Sequence, residues 1–175
     1  RLNGIDENNP LKDRVIAYND GSSDFSKWNA NARGVDLNHN YDAYFDEYKK
    51  YEEENEITAG KSKYSGEFAH SEPEIQAITN FIKFYENEIC SVLTLHTQGE
   101  EIYYKSKGKC LKSTEIKARH LAKMTGYELS EAKGASALSG LTDWVIKELN
   151  KPSFTFECGK GENPLDASEL GSIYL

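Results

Sequence analysis

The chain has 175 residues, 38% of them hydrophobic and 29% charged, which is enough for one domain with a sizeable core. Its net charge of −8 argues against a nucleic-acid partner. The longest apolar runs fall far short of a membrane span. Three cysteines (Cys90, Cys110 and Cys158) without CxxC spacing imply no disulfide framework, which favours a reducing, cytoplasmic compartment over a secreted one.

In chain order, residues 1–32 are polar and turn-rich around one short predicted strand, Arg14 to Tyr18. The stretch "ARGVDLNHNYDA" (32–43) reads as a strand entering a loop crowded with residues that compete for backbone hydrogen bonds, Asp36, Asn38, His39, Asn40 and Asp42. "EYKKYEEENE" has helical propensity and is charged nearly all round, so a solvated surface helix is expected. A helix is predicted from Ser71, with Glu74 completing a capping box and Pro73 in the first turn. Its 3.6-residue period predicts a buried face of Ile75, Ile78, Ile82 and Tyr85. "CSVLTLH" (90–96) has the apolar continuity of a strand covered on both faces. A second helix is predicted over Ser113 to Met124, closed by Gly126, and a third over Ser139 to Leu149. "PSFTFECG" reads as a second buried strand. The alternation predicts an α/β fold, helices packed on a central sheet.

Both buried strands end in chemistry. His96 closes the first and Glu157 comes near the end of the second, where ligands bind in open α/β sheets. Either residue read alone has a structural explanation: a satisfied histidine, or a salt-bridged buried carboxylate. Together they could meet across a cleft, and a carboxylate delivered by "FTF" is costly without a partner or a task. Tyr103, Tyr104 and Trp28 could line a subsite or simply pack. "GKGENP" lacks the spacing of a phosphate loop, and no histidine is placed by sequence to activate Cys158 as a nucleophile.

The motifs "GVDLNHNYD", "SEPEIQAI", "LTLHTQGEEIYY", "GLTDW" and "FTFECGKGENP" resemble, in order and rough spacing, the zinc carboxypeptidase family. They are most similar to its bacterial branch of γ-D-glutamyl-diamino-acid endopeptidases, which cut peptidoglycan stem peptides. The resemblance implies a three-layer α/β/α fold with a mixed central sheet, one zinc ion and a peptide or muropeptide substrate. By position it implies that His96 is a zinc ligand and that Glu157 is the general base, with Asp36 a carboxylate that orients a zinc-binding imidazole. Arg33 is the candidate for stabilising the oxyanion. Zinc would lower the pKa of its water toward ~7, and a nearby carboxylate could then shuttle the proton. The family's remaining two ligands lie on a His-x-x-Glu motif, which none of His39, His70, His96 or His120 begins. The expectation is therefore of an incomplete domain over 1–175 that lacks its N-terminal third, with a sheet edge open to self-association. The alternative is a non-catalytic remnant or peptide-binding module. Asn38 and His39 stand where the family clamps a substrate carboxylate with Asn-Arg. The imidazole lacks arginine's fork, and the clamping tyrosine falls near Ala135. His39 either serves a non-standard substrate or hydrogen-bonds its loop.

Overall fold

The computed structural model describes residues 9–169 together with Gly171 and Ile173. The turn-rich residues before Asn9 and most of the segment "ELGSIYL" lie outside the described residues.

Four strands form one mixed sheet: β1 (Val92–His96), β2 (Glu101–Tyr103), β3 (Glu128–Ser130) and β4 (Ser153–Glu157), in spatial order β1-β4-β2-β3. β1 runs parallel to β4, and β2 parallel to β3, while β2 and β4 are antiparallel. The α-helices among the described residues include α1 (Lys12–Tyr18), α2 (Phe45–Glu54), α3 (Pro73–Phe84), α4 (Lys112–Thr125) and α5 (Leu141–Leu149). One face of the sheet carries Ile102, Phe154 and Phe156, which pack with Ala118 of α4. The opposite side holds a core of Ile75 and Ile82 from α3, Trp144 and Val145 from α5, and Val92 of β1. The result is the expected three-layer α/β/α arrangement with a mixed sheet. None of the helices among the described residues is long and apolar enough to cross a membrane.

Several local expectations are met. α4 ends at Gly126, whose φ of +77° is the left-handed cap that glycine supplies. α5 begins two residues later than predicted, because Ser139 is buried and spends its backbone on Tyr41 and Ala43.

Other expectations are corrected. Arg14 to Tyr18 is helical, not a strand: Val15 is fully buried against Phe25 and Trp28, and one turn of helix presents it there. The charged α2 buries Phe45, Tyr48 and Glu52, spaced as one helical face. The capping box does not form, because Glu72 takes the N-cap position and Ser71 turns its hydroxyl to the Glu72 carboxylate at 2.8 Å. On α3, Ile75 and Ile82 are buried, but Ile78 and Tyr85 are exposed together with Phe81 and Phe84. β1 is covered on one face only, leaving Leu93 and Leu95 52% and 63% exposed. It is also the edge strand, so nothing among the described residues continues the sheet beyond it.

Phe154 is 1% exposed in the centre of the sheet, whereas Leu95 faces solvent. Phe154→Ala is expected to cost about 3–5 kcal/mol and Leu95→Ala less than about 1 kcal/mol, measured by urea unfolding of this chain. Equal losses would mean that the bare face of β1 is covered in solution.

Candidate active site

The parallel pairing of β1 with β4 sets His96 directly beside Glu157. Strand alternation turns both toward α5, on the face carrying Thr94 and Thr155, while Phe154 and Phe156 point to α4. β2 adds Glu101 opposite Glu157 and Tyr103 opposite Thr155. The Tyr103 hydroxyl donates to Glu101 Oε2 at 2.7 Å. The half-buried Glu157 carboxyl is pushed up to about 7, first by desolvation and then by the Glu101 charge. It can therefore be ionised or protonated near neutral pH, as a proton-transfer group must be. Burial also lowers the His96 imidazole and keeps it neutral, the form that binds metals. Its ring nitrogens have no hydrogen-bond partner among the described residues.

Hydroxyls tie this region together. Thr94 Oγ1 donates to Thr155 Oγ1 at 2.9 Å, Thr142 Oγ1 lies 2.9 Å from the same atom, and Ser153 donates to Thr142 at 3.1 Å. Thr94, Thr142 and Thr155, with Tyr103, Lys105, Asp143 and Glu157, wall a cavity of about 140 Å³. On the other side of His96 lies an open cleft of about 850 Å³, whose walls include Asp36, Asn38, His39, His96 and Thr97. The loops following β1 and β4 clasp each other there. Thr97 Oγ1 donates to Asn163 Oδ1 at 2.8 Å, and Asn163 Nδ2 donates to the Thr97 carbonyl at 2.7 Å.

The loop 34–42 builds the opposite wall. Asp36 is buried and spends its carboxylate on the backbone: Oδ1 accepts from Asn38 N at 3.2 Å and Oδ2 from Lys63 N at 2.9 Å. No side-chain bond joins it to His96. Asn40, fully buried, donates to the Ser65 carbonyl and accepts from Glu72 N. His39 stacks on Tyr48 with ring centroids 4.3 Å apart. Its Nδ1 lies 3.3 Å from the Leu138 carbonyl and must donate to it, leaving Nε2 as an acceptor in the neutral ring. Burial lowers its pKa, so this neutral tautomer prevails at neutral pH.

Sequence reasoning singled out His96, Glu157, Asp36, Asn38 and His39, and the structure gathers them around the two cavities. Arg33 is not brought there. It lies 3.7 Å from the buried Glu72 carboxylate, lines neither cavity and has a 60% exposed side chain. Glu101 went unnoticed, although "EEIYY" alternates in a way that sets it beside Tyr103. Of the uncertain aromatics, Tyr103 lines the smaller cavity, Trp28 borders the larger and Tyr104 packs in the core. Cys158 is buried in the core and its thiol is raised by burial.

The sequence profile of the zinc carboxypeptidase family matches residues 14–173. The chain belongs to the zinc carboxypeptidase family. It is 34% identical over 173 residues to gamma-D-glutamyl-L-diamino acid endopeptidase 1 of Lysinibacillus sphaericus, covering 99% of this chain and 42% of that protein. It is 31% identical to the uncharacterized Bacillus subtilis protein YqgT, covering 45% of it. The chain thus spans less than half the length of these relatives. The fold resembles bovine thrombin-activatable fibrinolysis inhibitor in complex with tick carboxypeptidase inhibitor, at TM-score 0.61 and 21% identity over 79% of this chain and 51% of that one. It also resembles murein-tripeptide amidase MpaA of Escherichia coli O157, at TM-score 0.52 and 22% identity over 83% of this chain and 56% of that one.

The family implies zinc, and His96 is a suitable donor. Among the described residues, however, no three His, Cys, Asp or Glu side chains converge to hold a metal ion. The donor set of the described residues therefore does not fit zinc by itself.

Two predictions follow from this geometry. Zinc should bind the chain no tighter than about micromolar, since one imidazole cannot replace a three-ligand site. Stoichiometric zinc that survives a mild chelator and disappears in His96→Ala would show otherwise. The second concerns Asp143, which is 6% exposed and accepts from Ser106 Oγ at 2.7 Å. Burial pushes its carboxyl up to about 6, above its ordinary 3.8. The folded chain then holds that proton more tightly than the unfolded one, so this group's contribution to stability falls as pH rises from about 4 to 6. Asp143→Asn keeps an acceptor for Ser106 and removes the titration. Relative to wild type, the variant should gain about 1–3 kcal/mol between pH 4 and 7 in urea titrations. A pH-independent difference would overturn the assignment.

Proposed function

We propose that the parent protein is a zinc-dependent peptidase that hydrolyses peptide or γ-D-glutamyl bonds of peptidoglycan stem peptides, and that this chain supplies the proton-transfer side of its cleft. The observation that carries the reading is the strand register that sets His96 beside a Glu157 held at about 7. Membership of the family and 34% identity to a γ-D-glutamyl-L-diamino acid endopeptidase support the substrate class. In this reading His96 is one zinc ligand, and the other ligands come from a part of the parent outside residues 1–175. Zinc held by His96 and those other ligands would supply electrophilic activation of water and carbonyl. Glu157 takes a proton from the attacking water and passes it to the departing amine. The cleft beside it accepts the chain on the acyl side, and the hydroxyl-lined cavity accepts the leaving residue.

The bare face and free edge of β1 support a strand from that other part pairing there. The same edge is where two copies of this chain would associate in its absence. A second reading, a peptide-binding module that keeps the cleft without the metal, draws its support from the missing three-donor cluster.

Glu157→Gln in the full-length parent separates the two. The amide keeps the shape and removes the base, so turnover of γ-D-glutamyl-diaminopimelate peptides should fall ~10²–10⁴-fold with substrate binding little changed. Near-normal turnover at saturating substrate would refute the proton-transfer role. A parent without zinc or hydrolysis would leave the binding module.

A further inference from the structure

The open cleft is basic on one wall, in a chain whose net charge is −8. Lys27, Lys61 and Lys63 all border it, and the acid among its lining residues is Asp36. That one buried carboxylate, whose oxygens accept from backbone N–H groups, stands against three lysines, so the lining keeps a net positive charge. Lys61 reaches Asp20 at 2.8 Å, but both partners are widely exposed, so water screens that pair. Lys27 and Lys63 make no ion pair among the described residues; the acid that feels Lys27 is Asp24, on its own loop.

Lys63 is also held in an unusual backbone conformation. Its φ is +70°, the left-handed region where a residue with a side chain is costly. Two bonds impose this conformation: its N–H donates to Asp36, and its carbonyl accepts from the Tyr48 hydroxyl at 2.7 Å. Those two partners are the residues that flank His39, since Asp36 caps the turn Leu37–His39 and Tyr48 stacks on the imidazole. Lys63 lines the same cleft as His39, which, with its N–H spent on Leu138, offers only a lone pair.

We propose that Lys63, supported by Lys27 and Lys61, binds a free carboxylate of the substrate next to the scissile bond, in place of a cation at position 39. The identity of the ligand rests on the peptidase reading above, with the α-carboxylate of a γ-linked glutamyl residue as the group recognised. The basic subsite itself rests on the geometry of this cleft. An ammonium contacts a carboxylate as a point charge, so the preference should be for charge and sensitive to salt.

The test uses calorimetric or NMR titration of this chain with γ-D-glutamyl-meso-diaminopimelate, and with the same dipeptide amidated at the glutamyl α-carboxylate. Wild type should bind the acid about tenfold more tightly than the amide. Lys63→Met should bring the two within about twofold by weakening the acid alone, and Lys63→Arg should restore most of the difference. Lys123→Met, which makes the same change of net charge on α4, should leave it intact. Should Lys63→Met disturb folding, the Lys27→Met/Lys61→Met pair should halve the preference at least, and added salt should erode it in wild type. Equal affinity for acid and amide, no binding of either, or a preference that survives Lys63→Met would overturn the proposal. Glu157→Gln tests the peptidase reading separately: a parent that turns over normally without Glu157 while still preferring the acid would refute that reading and leave this one standing.

Discussion

The parallel pairing of β1 with β4 is the constraint on which the site depends. Its register, from Val92 against Ser153 to His96 against Glu157, puts two polar residues at the same end of two adjacent strands. A slip of one residue would carry Glu157 to the α4 face and bury it among Phe154, Phe156 and Ile102. The alternation within β4 prevents this, because its two phenylalanines have an apolar layer to fill on one side only. The hydroxyls of Ser153, Thr142, Thr155 and Thr94 satisfy one another on the other side. Apolar packing thus chooses the face, and the threonine chain keeps that face polar without stranded donors.

A second anchor fixes the opposite wall. Glu72 is 1% exposed and charged, so it needs partners. It accepts from Asn31 Nδ2 at 2.6 Å and from Ser71, and Arg33 lies alongside. Asn40 binds its backbone N–H in turn. This network pins loop 31–40 to the start of α3 and explains where Arg33 went: it neutralises a buried acid, which leaves the cleft to the lysines.

Much of this was legible in the sequence, and the reasons are local. Gly126 stops α4 because only its conformation fits there, and the motifs ending in His96 and Glu157 are continuous in the chain. What failed depended on neighbours far away in sequence. β2 and β3 are three residues each, too short for a period to register. Arg14 to Tyr18 has the composition of a strand, but Val15 answers to Phe25 and Trp28. Ser71 and Glu74 spell a capping box, yet Asn40 claims the Ser71 hydroxyl from 31 residues away. The sequence leaves His39 between serving the substrate and hydrogen-bonding its loop, because its stacking on Tyr48 and its bond to the Leu138 carbonyl arise only once the loop closes, and it lines both cavities as well. The lysines carry no motif at all, since only the fold brings Lys27 and Lys63 to the same cleft.

The exposed face and free edge of β1 bear on the chemistry. Leu93 and Leu95 point to the α4 side, and the unpaired edge of the same strand ends at His96. A strand laid along that edge would satisfy its backbone groups and shield the two leucines, and it would finish next to the imidazole. Donors carried on or just beyond such a strand would approach His96 from the side away from Glu157, leaving the carboxylate free to face water. Completing the sheet and completing a set of metal ligands would then be one event.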